Sequence, residues 1–273
     1  MKRYRIISMD LDSRPSMLAM EIRDWWEDKV KEQHRINKER IKRGLLHEYG
    51  HDAAELKLQN FVDLGPKPLS ILAFHNKFLE QIRRAFIMGA YYPALTATCS
   101  LGERILNHLL HALREDFKHT PEYKRVYRKD SFDDWKEATD TLDSWGVLLP
   151  DVTCAFRELE TIRHRSIHFT PLVDTDDRNL ALEAISKLST IIDRQFGAFG
   201  NQPWFIPGIR GASYLKKEAE NLPFIRRIYI PNCFLVGPLH RLELVGNRIK
   251  LYDDNDYEDR EISDDEFRIL IEG

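Results

Sequence analysis

The stretch that decides the fold is DVTCAFRELETIRHRSIHFT, which occupies residues 151–170. At 100° per residue, most of the large apolar side chains in and just before it fall on one helical stripe. The stripe consists of Leu149, Val152, Phe156, Leu159 and Ile167. Arg163 falls in the middle of this stripe. Because an unpaired buried guanidinium is very costly, Arg163 is expected either to be paired or to serve a function.

Two histidines accompany this arginine. His164 and His168 are four residues apart, so they share one face of the predicted helix. An imidazole titrates near neutral pH, whereas a guanidinium keeps its charge. One short helical segment therefore offers a fixed cation and two groups that can transfer protons, a set that phosphodiester chemistry can use.

Composition limits the classes of protein to which the chain can belong. Its 273 residues suit one large domain, or one domain with an appendage. A net charge of −3 does not favour a large basic surface for duplex DNA, although it allows a local basic patch. Three widely spaced cysteines argue against a disulfide framework. No segment has the length and apolar character of a membrane span or a signal peptide, so a cytoplasmic protein with no membrane partner is expected.

Apolar periodicity predicts a mainly helical protein. The predicted helices span residues 17–49, 67–88, 93–116, 132–145, 149–169 and 178–196. In the third of these helices, Gly102 costs about 1 kcal/mol relative to alanine, which a close approach by another helix would explain. Glu103 lies at the edge of the apolar stripe of the same helix. It is expected either to pair with Arg163 or to face water.

The chain changes character after Gly200, where prolines, glycines and β-branched residues become frequent. Strands are predicted at residues 225–236, 241–245 and 248–252, and alternation predicts another at residues 4–12. A lone N-terminal strand needs a partner, so it can join the C-terminal strands. The predicted division is a strand and long charged helix in residues 1–64, a helical bundle in 65–199, and a small β-rich appendage with an acidic tail in 200–273.

A second motif offers a different chemistry. Residues 47–51 read HEYGH and match the H-E-x-x-H pattern, in which two histidines bind zinc and the glutamate acts as a base. Gly50 is expected to end the helix, which would take His51 out of register with His47. No third ligand is evident. No metal site is therefore expected, and a zinc hydrolase is the weaker alternative.

The hexapeptide from Arg163 to His168, RHRSIH, resembles the R-x4–6-H motif of the HEPN superfamily, whose first intervening residue is often Asn, Asp or His. Other R-x4–6-H matches occur in the chain, but only Arg163 interrupts a core stripe. HEPN domains are helical bundles about as large as residues 69–196. The resemblance thus implies a HEPN-like antiparallel bundle, and it does not extend to the first 60 residues or to the β region. Many members are metal-independent ribonucleases, whereas others bind nucleotides or proteins without catalysis.

The resemblance implies an endoribonuclease that cleaves RNA through the 2′-hydroxyl without a cofactor, as in toxin and antiviral defence systems. His168 would be the general acid or base, and Arg163 would hold the scissile phosphate. His164 would orient the phosphate or share proton transfer, and Glu103 would fix the rotamer of Arg163. Family members commonly join their motif helices across a two-fold axis, which implies a homodimer. An antitoxin or another regulatory partner is also implied.

Two alternatives stay open beside the nuclease. The chain is a non-catalytic HEPN-like module that binds a nucleotide or a partner protein, or Arg163 is a structural cation paired with Glu103 or Glu160. If Arg163 is a structural cation, His164 and His168 are expected to be ordinary surface groups.

Overall fold

The computed structural model describes residues 1–7, 12–167, 177–246 and 248–272. The chain is mainly helical with a small amount of antiparallel sheet, as the sequence predicts. The helices are α1 (Arg14–Ala19), α2 (Asp28–Tyr49), α3 (Ala54–Asp63), α4 (Ala73–Ile87), α5 (Tyr91–Leu113), α6 (Tyr123–Val126), α7 (Trp135–Ser144), α8 (Pro150–Ile167), α9 (Asp177–Phe196) and α10 (Asp264–Glu272). The strands are β1 (Arg3–Ile6), β2 (Ser213–Tyr214), β3 (Phe234–Val236), β4 (Arg241–Val245) and β5 (Arg248–Tyr252).

The bundle is built around α5, which packs against α4, α7, α8 and α9. Its apolar side chains are buried on more than one side of the helix, as is usual for a helix enclosed by others. They include Leu95, Leu101, Ile105, Leu106, Leu109 and Leu110. α8 packs against α5, α7 and α9, so the segment that carries Arg163 is held against the centre of the bundle.

The N-terminal strand pairs with C-terminal strands. β1 lies between β2 and β3 and is antiparallel to both, with Arg5 opposite Tyr214 and Tyr4 opposite Leu235. β4 and β5 form a separate hairpin that turns at Gly246. A small second core forms behind the sheet from Ile206, Tyr214, Val236, Ile262 and Phe267. The expectation that the first strand joins the C-terminal ones is confirmed.

The prediction of one helix over residues 17–49 is wrong. Residues 20–27 separate α1 from α2, and Met20 has the extended backbone angles φ −61° and ψ 125°. The Lys38 ammonium donates to the carbonyl of Leu18 at 3.0 Å and also to that of Met20. The chain therefore folds back along α2, because a lysine of that helix satisfies carbonyls at the end of α1.

The prediction of a strand over residues 225–236 is also largely wrong. Residues Ile225–Tyr229 form a π-helical turn, and only Phe234–Val236 pair as a strand. Ile225, Ile228 and Tyr229 are all buried in the main core. Their three- and four-residue spacing is helical, so burial on one side selects a helix over the β propensity of isoleucine and tyrosine.

Two predicted helices begin later than expected. α4 starts at Ala73 rather than at residue 67, because Ser70 bridges to Gly197 and its amide donates to the Asn76 side chain at 2.9 Å. α7 starts at Trp135, where the Asp134 carboxylate accepts from the amide of Glu137 at 2.9 Å. Asp134 is therefore the N-cap of α7.

The main core crosses both predicted domain boundaries. Leu45 and Phe61 contribute to it from the first predicted segment, and Phe224 and Tyr229 contribute from the last. The division at residues 64/65 and 199/200 stays a prediction. Among the helices in the described ranges, none combines the length and the apolar character needed to cross a bilayer.

Candidate functional site

Arg163 lies on α8 at the margin of the buried stripe rather than in its middle. The buried positions of α8 are Val152, Thr153, Ala155, Phe156, Leu159, Ile162 and Ser166. Beside Arg163, the buried positions of the helix are taken by Ile162 and Ser166. The sequence analysis had expected Arg163 itself to lie there. The Arg163 side chain is 21% exposed, so its guanidinium is partly shielded but reaches the surface.

Glu103 on α5 meets this guanidinium, which is one of the two expectations from the sequence. The Arg163 Nη2 lies 3.4 Å from the Glu103 Oε2. That distance is at the long end for a hydrogen bond, so the contact orients the arginine more than it immobilises it. The Glu103 side chain is 34% exposed, which means that solvent partly screens the pair.

Trp135, the first residue of α7, completes the arrangement. Its indole Nε1 donates to the same Glu103 Oε2 at 3.1 Å, and its ring lies 5.6 Å from the Arg163 guanidinium carbon. The indole ring faces the cation while its N–H binds the carboxylate. Three helices therefore meet at one carboxylate oxygen, and the position of Arg163 depends on all three.

Trp135 is held in place by a row of polar residues along α5. Glu103, Asn107 and His111 of α5 and Arg114, the residue that follows it, are spaced by four, four and three, so they lie on one face. Glu103 bonds the first residue of α7, and the other three bond the segment between α6 and α7. The contacts are Glu103 with the Trp135 indole (3.1 Å), Asn107 with the Phe132 carbonyl (2.9 Å), His111 with the Asp130 carbonyl (2.9 Å) and Arg114 with the Lys129 carbonyl (2.8 Å).

The sequence analysis did not place Trp135 beside Arg163. A row of polar residues at helical spacing is also what a solvated helix face shows, so the spacing on α5 gave no signal that a chain segment binds there. The spacing does not reveal which segment binds there. That assignment needs the packing of α7.

The structure describes one of the two predicted histidines. His164 is exposed on α8, next to Arg163 in the chain. His168 lies outside the described residues, as do all positions from 168 to 176. The predicted triad is therefore described only for Arg163 and His164, and the role of His168 stays a prediction.

Cys99 lies one helical turn before Glu103 and is 1% exposed. Burial raises the pKa of this thiol to about 11, with a smaller increase from Glu103 and an opposing effect of Arg163. The thiol is therefore protonated at neutral pH and does not serve as a nucleophile.

The H-E-x-x-H pattern lacks the geometry that zinc requires. α2 ends at Tyr49, and Gly50 has φ 87°, so His51 lies beyond the helix. Glu48 is bound by Arg14 at 2.9 Å and by Arg84 at 3.0 Å. Within the described ranges, no three His, Cys, Asp or Glu side chains converge as metal ligands. The expected end of the helix at Gly50 is confirmed.

The Arg163 arrangement suits an anion. A guanidinium carries five N–H donors, and one hydrogen bond to Arg163 is recorded in the part of the chain that the structure describes. The remaining donors can bind the oxygens of a phosphate. Comparisons with protein-family models, curated proteins and solved structures found no match to this chain.

Proposed function

We propose that the chain is a metal-independent endoribonuclease of the HEPN type. The observation that carries the proposal is the position of Arg163, which is oriented by Glu103 and Trp135 and still reaches the surface beside His164. A cation oriented in this way can stabilise charge on a phosphate with little reorganisation during the reaction.

The proposed reaction is an internal transfer at phosphorus. The 2′-oxygen attacks the adjacent phosphorus while a histidine, His168 or His164, accepts the hydroxyl proton. The bond from phosphorus to the 5′-oxygen breaks, and that oxygen takes up a proton from the other histidine; exchange with water then restores both histidines. The products are a 2′,3′-cyclic phosphate and a 5′-hydroxyl, and neither metal nor cofactor is consumed. Arg163 donates to the non-bridging oxygens, which carry the developing charge.

The site is proposed to act in a homodimer, with the α8 helices of two copies near the two-fold axis. The motif implies that the protein is a toxin or defence effector. An antitoxin or another regulatory partner would control it. A non-catalytic module that binds a nucleotide or a protein is the second candidate. The Arg163–Glu103 contact is long and partly solvated, which favours a site that accepts a ligand. Such a site is compatible with both the nuclease and the binding module.

Cleavage of a mixed RNA in EDTA tests the proposal, with the wild type beside Arg163→Ala and His168→Ala. The wild type is expected to produce cyclic-phosphate ends. Losing one transition-state contact should slow cleavage by about 10²–10³-fold in Arg163→Ala. A folded wild type that leaves RNA intact would support the binding module. Equal cutting by all three proteins would place the activity elsewhere.

A further inference from the structure

A basic surface with two stacked tyrosines lies between α5 and α7, in residues 114–129. We call it the tyrosine platform. The segment contains six Lys or Arg residues and three Asp or Glu residues, within a chain whose net charge is −3. It includes α6 and the 3-10 turn Arg114–Phe117. Its charge is therefore opposite in sign to that of the whole protein.

Every carboxylate of the platform already has a cationic partner. The pairs are Lys118–Glu115 at 2.8 Å, Arg227–Asp116 at 2.9 Å and Arg125–Glu122 at 4.0 Å. Lys124 and Arg128 have no carboxylate partner in the described ranges, and the described bonds of Arg114 go to carbonyls. Lys129 is paired with Glu137 of α7, so within the described ranges the platform cations without a carboxylate partner are Arg114, Lys124 and Arg128.

The tyrosines form a flat apolar surface beside these cations. Tyr123 and Tyr127 are four residues apart, and their rings stack with centroids 5.4 Å apart and planes 28° apart. The Tyr123 hydroxyl donates to Glu115 at 3.1 Å. The Arg128 guanidinium carbon lies 5.0 Å from the Tyr127 ring. Tyr127 as a whole residue is 37% exposed, and because its ring already contacts Tyr123 and Arg128, a base would stack on it by displacing the Arg128 side chain.

We infer that the tyrosine platform binds single-stranded nucleic acid. Exposed aromatic rings stack on unpaired bases, and neighbouring lysine and arginine residues bind the phosphates. An acidic peptide or an anionic membrane would use the charges but would gain little from flat, stacked rings. This inference goes beyond the proposed function, because it holds even if the protein does not cut RNA.

The platform lies on the same side of α5 as Arg163. Glu103 and Arg114 are eleven residues apart, which is almost a whole number of turns and about 16 Å along the helix axis. Asp130 and Asp133 are exposed in the segment that connects the two places. The platform is therefore a separate anchoring site rather than one end of a continuous basic channel.

Fluorescence anisotropy with a labelled single strand of roughly 12 nucleotides tests the inference. The probe is RNA methylated at every 2′-hydroxyl, so the proposed reaction cannot consume it. The variants are Tyr127→Leu and the pair Lys124→Gln with Arg128→Gln. Matched controls are Tyr252→Leu and Arg241→Gln, because the Arg241 guanidinium lies 5.5 Å from the Tyr252 ring outside the platform. Circular dichroism checks that each variant is folded.

The wild type is expected to bind the probe, and Tyr127→Leu should weaken binding about tenfold through loss of one stacked base. Removing the two cations should reduce the slope of log affinity against log salt by about 1.4. The Tyr252 and Arg241 variants should bind as the wild type does. Absence of wild-type binding, or equal losses in the controls, would overturn the inference. So would equally tight binding of polyglutamate or of phosphatidylserine vesicles.

Discussion

Arg163 contributes little to the stability of the fold. Its ion pair with Glu103 is partly solvated, and such pairs contribute about 1 kcal/mol or less. Its contact with the Trp135 ring adds roughly 0.5–1 kcal/mol. Replacement by methionine should therefore lower the free energy of unfolding by no more than about 2 kcal/mol, as measured by urea denaturation. A loss of about 4 kcal/mol or more would indicate that Arg163 is a structural cation.

His75 should make stability depend on pH. Burial lowers the pKa of this fully buried histidine to about 3 from its ordinary value of 6.5. Below pH 6.5 the unfolded chain binds a proton that the folded chain does not accept. The contribution of His75 to the free energy of unfolding is therefore fully present above pH 6.5. It decreases as the pH falls from 6.5 towards 3.

The expected loss attributable to His75 between pH 7 and pH 5 is about 2 kcal/mol. Urea denaturation at both pH values measures it, with His75→Leu as the comparison. The variant should show a smaller pH dependence than the wild type, whatever its absolute stability. An identical pH dependence in both proteins would show that His75 takes up its proton in the folded state.

Residue identity and spacing gave the Arg163–Glu103 contact as one of two expectations for Glu103, the other being that it faces water. Glu103 was placed at the edge of one apolar stripe and Arg163 within another, and opposite charges on packed helices tend to meet. The contribution of Trp135 was not predictable, because it depends on where α7 begins and how it crosses α5. The stripe was predicted correctly at Val152, Phe156 and Leu159, but beside Arg163 the buried positions are Ile162 and Ser166.

Gly102 lies where side chains of α7 and α8 pack directly against the backbone of α5. A Cβ atom there would lie 2.6 Å from the Trp135 ring and 3.1 Å from the Leu159 side chain. The sequence analysis expected a close approach by another helix at this glycine, and these distances confirm it. Because Trp135 also binds Glu103, a change at Gly102 would displace the ring that lies beside Arg163.

Gly102→Ala should destabilise the protein although alanine favours helices. Overpacking costs typically 1–3 kcal/mol, against a gain of about 1 kcal/mol in helix propensity. The matched control is Gly44→Ala in α2, where a Cβ would meet nothing within 4 Å. That variant should stabilise by roughly 0.5–1 kcal/mol. Thermal or urea denaturation of the two variants measures both changes in stability. Changes of the same sign would contradict the close packing at Gly102.

Helix periodicity predicted α5, α8 and α9 well because each has a long apolar stripe. It failed where tertiary contacts decide the local structure. The break between α1 and α2 depends on Lys38 reaching back to the carbonyl of Leu18. The π-helical turn at Ile225–Tyr229 depends on burial in a core contributed by distant parts of the chain. Neither the Lys38 hydrogen bond nor the burial of this turn can be predicted from a local window of sequence.

At the scale of the whole molecule, the two ends of the chain are joined. Arg3 is fully buried, and its Nε donates to Asp264 at 2.8 Å, so the first strand is tied to the start of α10. The sequence predicted that the first strand joins the C-terminal strands, because a lone strand needs a partner, but it did not predict this ion pair. It could not predict how many helices surround α5, because that follows from the packing of all of them.

Light scattering of the purified protein should give a molar mass near twice 32.2 kDa, because the proposed site is formed by two α8 helices. A mass of one chain at micromolar concentration would remove the dimeric part of the proposal. It would leave the role of Arg163 to be tested separately.

The most direct test of the central claim compares two conservative changes on one helix. Arg163→Lys keeps the charge but loses the forked donor geometry that binds two phosphate oxygens. Arg157→Lys makes the same change at an exposed ion pair with Asp140, 3.0 Å away. The cleavage rate in EDTA should fall at least about tenfold for Arg163→Lys and stay near the wild-type value for Arg157→Lys. Equal rates for the two variants would show that Arg163 does not hold the phosphate.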